Sequence, residues 1–189
     1  VSTRGGPTTW VDWNRERYPY LATVKWEKGG PLTLLVQNRT QREEVLLAVD
    51  PATGRTRELL VERDEAWLNL DQQMPRWLED GSGFLWTTER NGGWQLELRD
   101  ASGALVRSLT APDFGYRGLV HVGADHVIVE ASADPVQKQL FRVPLAGGAP
   151  EPISEGLGLH SAVWATSGAL SVRTVATPAG ESIWRVVRA

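Results

Sequence analysis

The chain has 189 residues, 41% hydrophobic and 23% charged, with a net charge of −3 at neutral pH. These values fit one ordinary globular domain, and the even mixing of acidic and basic residues offers neither a basic stripe for nucleic acid nor a charged tail. Cysteine is absent, which excludes disulfides and thiolate metal sites, and no run approaches the ~18 uninterrupted apolar residues of a membrane-spanning helix.

The opening residues, from Val1 to Pro7, lack the apolar stretch of a leader peptide and read as a segment excised from a longer chain. Trp10 to Trp13 is expected as a short strand that closes a preceding unit, within residues 1–17. Four units follow. In residues 18–63 the strands are expected near Tyr20 to Trp26, Leu32 to Gln37, Val45 to Val49 and Arg57 to Val61. Residues 64–111 place them near Met74 to Leu78, Phe84 to Thr88, Trp94 to Arg99 and Leu105 to Leu109. Residues 112–155 place them near Gly118 to Val122, His126 to Ala131, Gln139 to Val143 and Glu151 to Ile153. Residues 156–189 hold three, near Ser161 to Trp164, Leu170 to Ala176 and Ile183 to Val187, and lack a fourth.

The corners support these cuts. Asp50 to Gly54, Asp100 to Gly103 and Pro144 to Gly148 each follow a short apolar strand and precede another. Gly, Asn and Asp supply the positive φ of tight hairpin turns. Trp94, Leu96 and Leu98 alternate with Gln95, Glu97 and Arg99, a clear period of two. A repeat of ~40–50 residues with four strands per repeat is the signature of propeller blades. The expected fold is therefore all-β: a partial β-propeller of about four blades, each a four-stranded antiparallel sheet, the last incomplete. No segment holds helical periodicity; Glu62 to Gln73, the long link between the first two units, has room for one helical turn. The nine Trp are expected mostly as packing between neighbouring sheets, with a sugar-binding surface as the rival.

Several short patterns resemble the propeller of dipeptidyl peptidase IV-like serine peptidases. They are Tyr20-Leu21-Ala22-Thr23-Val24-Lys25-Trp26, then Val36-Gln37-Asn38-Arg39-Thr40-Gln41. Asp80-Gly81 and Phe84-Leu85-Trp86-Thr87-Thr88-Glu89-Arg90-Asn91-Gly92 follow. Leu109-Thr110, Leu140-Phe141-Arg142-Val143 and Gly158-Leu159-His160 complete the series. The resemblance runs from about Tyr18 to about Pro178, and its weight lies in the order and spacing of the pieces. Thr88 and Asn91 depart from the family's Ser-Glu-Arg-Asp-Gly stretch, and Gln139 and Phe141 stand where an acidic residue and a Tyr are common. These departures leave the dipeptide preference open.

The resemblance implies an N-terminal propeller that caps a C-terminal α/β-hydrolase domain holding a Ser-Asp-His triad. It also implies a pair of propeller glutamates that binds the substrate's free amino group and enforces release of N-terminal dipeptides. This chain would supply the later half of the propeller, after that pair and before the hydrolase domain. The partners implied are a peptide substrate and the hydrolase domain, in a periplasmic or extracellular parent. The inter-blade segment Trp67, Leu68, Asn69, Leu70 and Asp71 is the candidate for touching substrate, because loops on rigid scaffolds carry function disproportionately.

The remaining constellations read as structural. No Gly-x-Ser-x-Gly nucleophile elbow occurs, Gly81-Ser82-Gly83 reads as a turn, and no catalytic residue, metal site or cofactor is assigned. His121, His126 and Asp125 are poorly arranged as ligands, and His160 is expected as a structural partner. Glu43-Glu44 reads as a solvated hairpin corner, and Arg90 as a fork that staples neighbouring blades. Two other functions remain: a non-enzymatic interaction propeller, or a lectin using its Trp. Unpaired strand edges and bare sheet faces in a partial propeller predict that the chain self-associates.

Overall fold

A computed structural model describes residues 3–188. Among them there is no helix; fifteen strands form four antiparallel sheets, three of four strands and one of three. The first sheet is β1 (Tyr20–Lys25), β2 (Leu32–Gln37), β3 (Glu43–Val49) and β4 (Thr56–Arg63); the second is β5 (Arg76–Trp77), β6 (Gly83–Thr88), β7 (Gln95–Asp100) and β8 (Leu105–Ser108). The third is β9 (Tyr116–Val122), β10 (His126–Ala131), β11 (Gln139–Pro144) and β12 (Glu151–Pro152); the fourth is β13 (Leu159–Trp164), β14 (Leu170–Ala176) and β15 (Ser182–Arg188). Within each sheet the strands lie in chain order. Successive up-and-down meanders of this kind, with no sheet closed on itself, are the partial propeller expected from the repeat.

The chain divides into two compact units: residues up to Trp86 with Arg99–Val106, and Thr87–Leu98 with Arg107 onward. In the first, β2 and β3 are buried on both faces. On one face Leu34, Val36, Val45, Leu47 and Val49 form a core against which Tyr18, Val11 and Trp13 pack. On the other, Leu35 lies opposite Leu46, and Leu46 opposite Leu60. A run that is apolar without alternation is what a strand covered on both faces requires.

Proline sets the shortest strands. Pro75 and Pro150 lack the N–H that a ladder needs, and β5 and β12 are two residues long beside them, shorter than the sequence patterns indicated. The turns are tighter than composition alone conveys. Gly103 has φ 96°, and a Cβ there would stand 1.8 Å from the Leu59 carbonyl oxygen, so only glycine fits this corner.

Two expectations need correction. Trp10 to Trp13 forms no strand; a single backbone bond from Asp12 N to Gly54 O, 2.9 Å, joins it to a turn that has no ladder to extend. Glu62 to Gln73 holds no helical turn, because two aspartate-capped turns take up its backbone groups. β7 is covered on both faces: Leu96 is 0% exposed, and so nearly are the polar residues Gln95, Glu97 and Arg99, at 3%, 1% and 5%. Each is satisfied locally: the Gln95 amide donates to Thr110 O (2.9 Å), Arg99 donates to Gly103 O (2.8 Å), and Arg90 approaches Glu97 at 3.6 Å. Of the tryptophans, Trp77 and Trp86 are buried, but Trp10, Trp26, Trp67 and Trp184 are more than half exposed. Trp13, Trp94 and Trp164 are half-buried, so packing claims five of the nine at least in part.

Candidate functional site

The inter-blade segment is held at both ends and raised between them. Asp64 Oδ1 accepts the backbone N–H groups of Ala66 and Trp67 at 2.7 and 2.8 Å. These bonds, that of Trp67 foremost, hold the Asp64 carboxyl below the usual carboxylate range. Asp64 N and Leu68 N donate to Arg42 O and Gln41 O, both at 3.0 Å, which ties the segment to the β2–β3 hairpin. At the far end Asp71 caps a second turn, accepting from Gln73 N at 2.8 Å, and Lys25 donates to the Gln73 carbonyl. Thr23 Oγ1 donates to Gln72 Oε1 at 3.3 Å. Met74, 1% exposed, then anchors the chain in the core.

Between these anchors Trp67 is 54% exposed and Asn69 is exposed, while Leu68, Leu70 and Asp71 are half-buried. The structure thus gathers the five candidate residues into one loop, alternating outward and inward. Trp67 presents its ring to solvent on a backbone fixed by hydrogen bonds to either side. Asp71 spends one carboxylate oxygen on its own turn.

The hairpin that holds this loop also carries Glu43 and Glu44, and neither is solvated. Glu43 accepts from Arg63 Nε at 2.7 Å, Arg17 at 2.8 Å and the Tyr18 hydroxyl. The Tyr18 bond, with Arg63 and Arg17, holds the Glu43 carboxyl low, while burial and Glu43 push the Tyr18 hydroxyl up to about 12. Glu44 is 5% exposed and lies in register between Gln37 of β2 and Glu62 of β4, itself 5% exposed. The Gln37 amide donates to Glu44 at 3.2 Å, and the Trp86 indole N–H donates to Glu62 at 3.1 Å. Burial, with the neighbouring Glu62 carboxylate, raises the Glu44 carboxyl to about 7. A two-sided strand explains the error: its polar end residues are covered along with its apolar middle. The signal was available in the runs Glu44-Val45-Leu46-Leu47 and Leu59-Leu60-Val61-Glu62, each a carboxylate on an unbroken apolar stretch.

Elsewhere the side chains are structural. Arg90 forks toward Glu97, on the other limb of its own hairpin. His121 stacks on Trp164 with centroids 5.6 Å apart, His126 bonds Asp125 at 2.6 Å, and His160, 7% exposed, lies 3.3 Å from Gly156 O. Among the described residues, no three potential ligands come together to hold a metal ion, and no helix is long and apolar enough to cross a membrane. An open cavity of about 740 Å³ in the second unit is lined by Leu109, Pro112, Phe114, Phe141 and Pro150. Phe114 and Phe141 meet edge to face at 5.0 Å, and none of the five loop residues reaches this cavity.

Four-stranded meanders repeated along the chain define a propeller domain. The family model described as the dipeptidyl peptidase IV N-terminal region matches residues 1–181, and the chain belongs to that family. Among solved structures, dipeptidyl peptidase 4 of Porphyromonas gingivalis is similar with a TM-score of 0.80 at 19% identity, over 90% of this chain and 24% of that one. A puromycin hydrolase gives a TM-score of 0.63 at 19% identity, over 90% of this chain and 27% of that one. TolB of Acinetobacter baumannii gives 0.57 at 14% identity, over 87% of this chain and 40% of that one. At such identities these likenesses speak for the fold, and the chain spans about a quarter of the length of the first two proteins.

Proposed function

We propose that this chain is the non-catalytic propeller portion of a serine exopeptidase that releases N-terminal dipeptides. In that role it narrows the approach to a hydrolase domain outside these residues and positions the peptide for it. The observation that carries the reading is the family match over residues 1–181. The geometry of the Asp64–Met74 loop supports it: an exposed Trp67 on a backbone tied to the β2–β3 hairpin is a rigid aromatic surface. Such a surface stacks on a peptide plane or an apolar side chain with little ordering cost. Selection by a propeller is steric, admitting short or unfolded peptides and excluding folded proteins.

The test is kinetic, on the enzyme formed by this chain with its hydrolase domain. Trp67→Ala is expected to lower kcat/KM for a tripeptide substrate about tenfold, or ~1.4 kcal/mol. The effect on a minimal dipeptidyl amide should be smaller. Unchanged kinetics on both substrates would remove the loop from the substrate path.

A second reading is an interaction propeller with no enzyme attached, favoured by the likeness to TolB. It predicts that no α/β-hydrolase domain shares a polypeptide with this chain.

A further inference from the structure

Asn91 and Gly92 stand together in the turn between β6 and β7. Of the asparagines Asn14, Asn38, Asn69 and Asn91, only Asn91 precedes a glycine; Arg15, Arg39 and Leu70 follow the others. The pairing matters because a backbone nitrogen can attack the side-chain carbonyl carbon of an asparagine just before it. A Cβ on the following residue crowds that attack, and glycine has none. Both residues are exposed, and a Cβ built on Gly92 meets nothing within 4 Å beyond its own chain neighbours. The site is open to water and uncrowded.

The folded turn withholds the reaction. Gly92 N donates to Glu89 O at 2.9 Å, which engages the attacking nitrogen. Asn91 Nδ2 donates to Gln95 Oε1 at 2.6 Å, which ties down the leaving group. Gln95 is 3% exposed, and its own amide nitrogen donates to Thr110 O at 2.9 Å. Turning that amide over would set its oxygen against the Thr110 carbonyl. The Gln95 oxygen is therefore what faces Asn91, and the clasp needs a donor at position 91. A carboxylate offers only acceptors.

We propose that Asn91 is a site of spontaneous deamidation, gated by opening of the β6–β7 turn, and that the product keeps the turn from closing as before. In the opened turn the Gly92 nitrogen loses its proton to solvent and attacks Asn91 Cγ. A bond forms between them, the Cγ–Nδ2 bond breaks, and Nδ2 takes up a proton and departs as ammonia. Water then opens the five-membered imide at either carbonyl, leaving aspartate or isoaspartate. Water is the only co-reactant. The carboxylate so formed stands against Gln95 Oε1, acceptor to acceptor, where a hydrogen bond had been.

The test incubates the 189-residue chain at mildly alkaline pH, once folded and once in urea, and follows the peptide holding Asn91 by mass spectrometry. A gain of one mass unit on that peptide is expected in both samples, about tenfold slower in the folded chain because the turn must open first. Asn91→Asp, which stands in for the product, should fold with an unchanged circular dichroism spectrum but exchange the amide protons of Gly92 and Gln95 faster than the parent. Absence of the mass gain from either sample, or equal rates in both, overturns the proposal. Amide exchange in Asn91→Asp no faster than in the parent does so as well. The peptidase reading rests on other residues and is untouched by these outcomes.

Discussion

Glu44 is a buried carboxyl whose ionisation bears on stability. Its carboxyl stands at about 7 in the folded chain, against a usual value of 4.5, chiefly because burial disfavours the charged form. The neutral carboxyl therefore favours the folded state fully below about pH 4.5, and that contribution is lost as pH rises through about 7. The shift corresponds to roughly 3 kcal/mol. Urea unfolding should accordingly show the chain losing about that much stability between pH 4.5 and pH 7.5 from this group. Glu44→Gln, neutral at every pH, should remove most of the dependence and leave the variant more stable than the parent above neutrality. A variant no more stable at pH 8 than the parent would show that the charged Glu44 carries no such cost. The sequence did not disclose this pair, because Glu44 and Glu62 become neighbours only through the β3–β4 register.

Hairpin corners and the inter-blade loop are the elements that decide how the fold is built. Gly103→Ala meets two obstacles, a left-handed φ of 96° and a Cβ placed 1.8 Å from Leu59 O. It is expected to cost at least ~2 kcal/mol in chemical denaturation. Gly92→Ala, at φ 84° with open space around the added carbon, should cost less, since only the backbone term applies. Equal losses at the two sites would show that the Leu59 contact is not what holds Gly103. These corners were legible because glycine and aspartate mark positive φ and capped turns directly in the sequence. The alternation in β7 says less: period two shows which residues share a face, not which face is covered, and here Leu96 on one side and Gln95, Glu97 and Arg99 on the other all lie inside. The loop at Trp67 was legible as a place between units, but its two aspartate-capped turns were not read from Asp64 and Asp71.

At the scale of the whole molecule, four successive meanders and the family match over residues 1–181 make this chain part of a dipeptidyl peptidase IV-type propeller domain. The repeat carried that much, since spacing and turn residues are local properties. Exposure was harder, because it depends on which sheet lies against which. Val163, Trp184 and Val186 show this: their strand pattern is ordinary, yet they are 74%, 71% and 73% exposed. The functional account turns on steric and N-terminal selection of peptides in an enzyme that carries this propeller together with a hydrolase domain. The most direct measurement compares, on that enzyme, the cleavage of a short peptide with a free amino terminus, the same peptide with that amine acetylated, and a stably folded protein. Release of the N-terminal dipeptide from the first alone is the predicted result; comparable cleavage of all three, or of none, would contradict it.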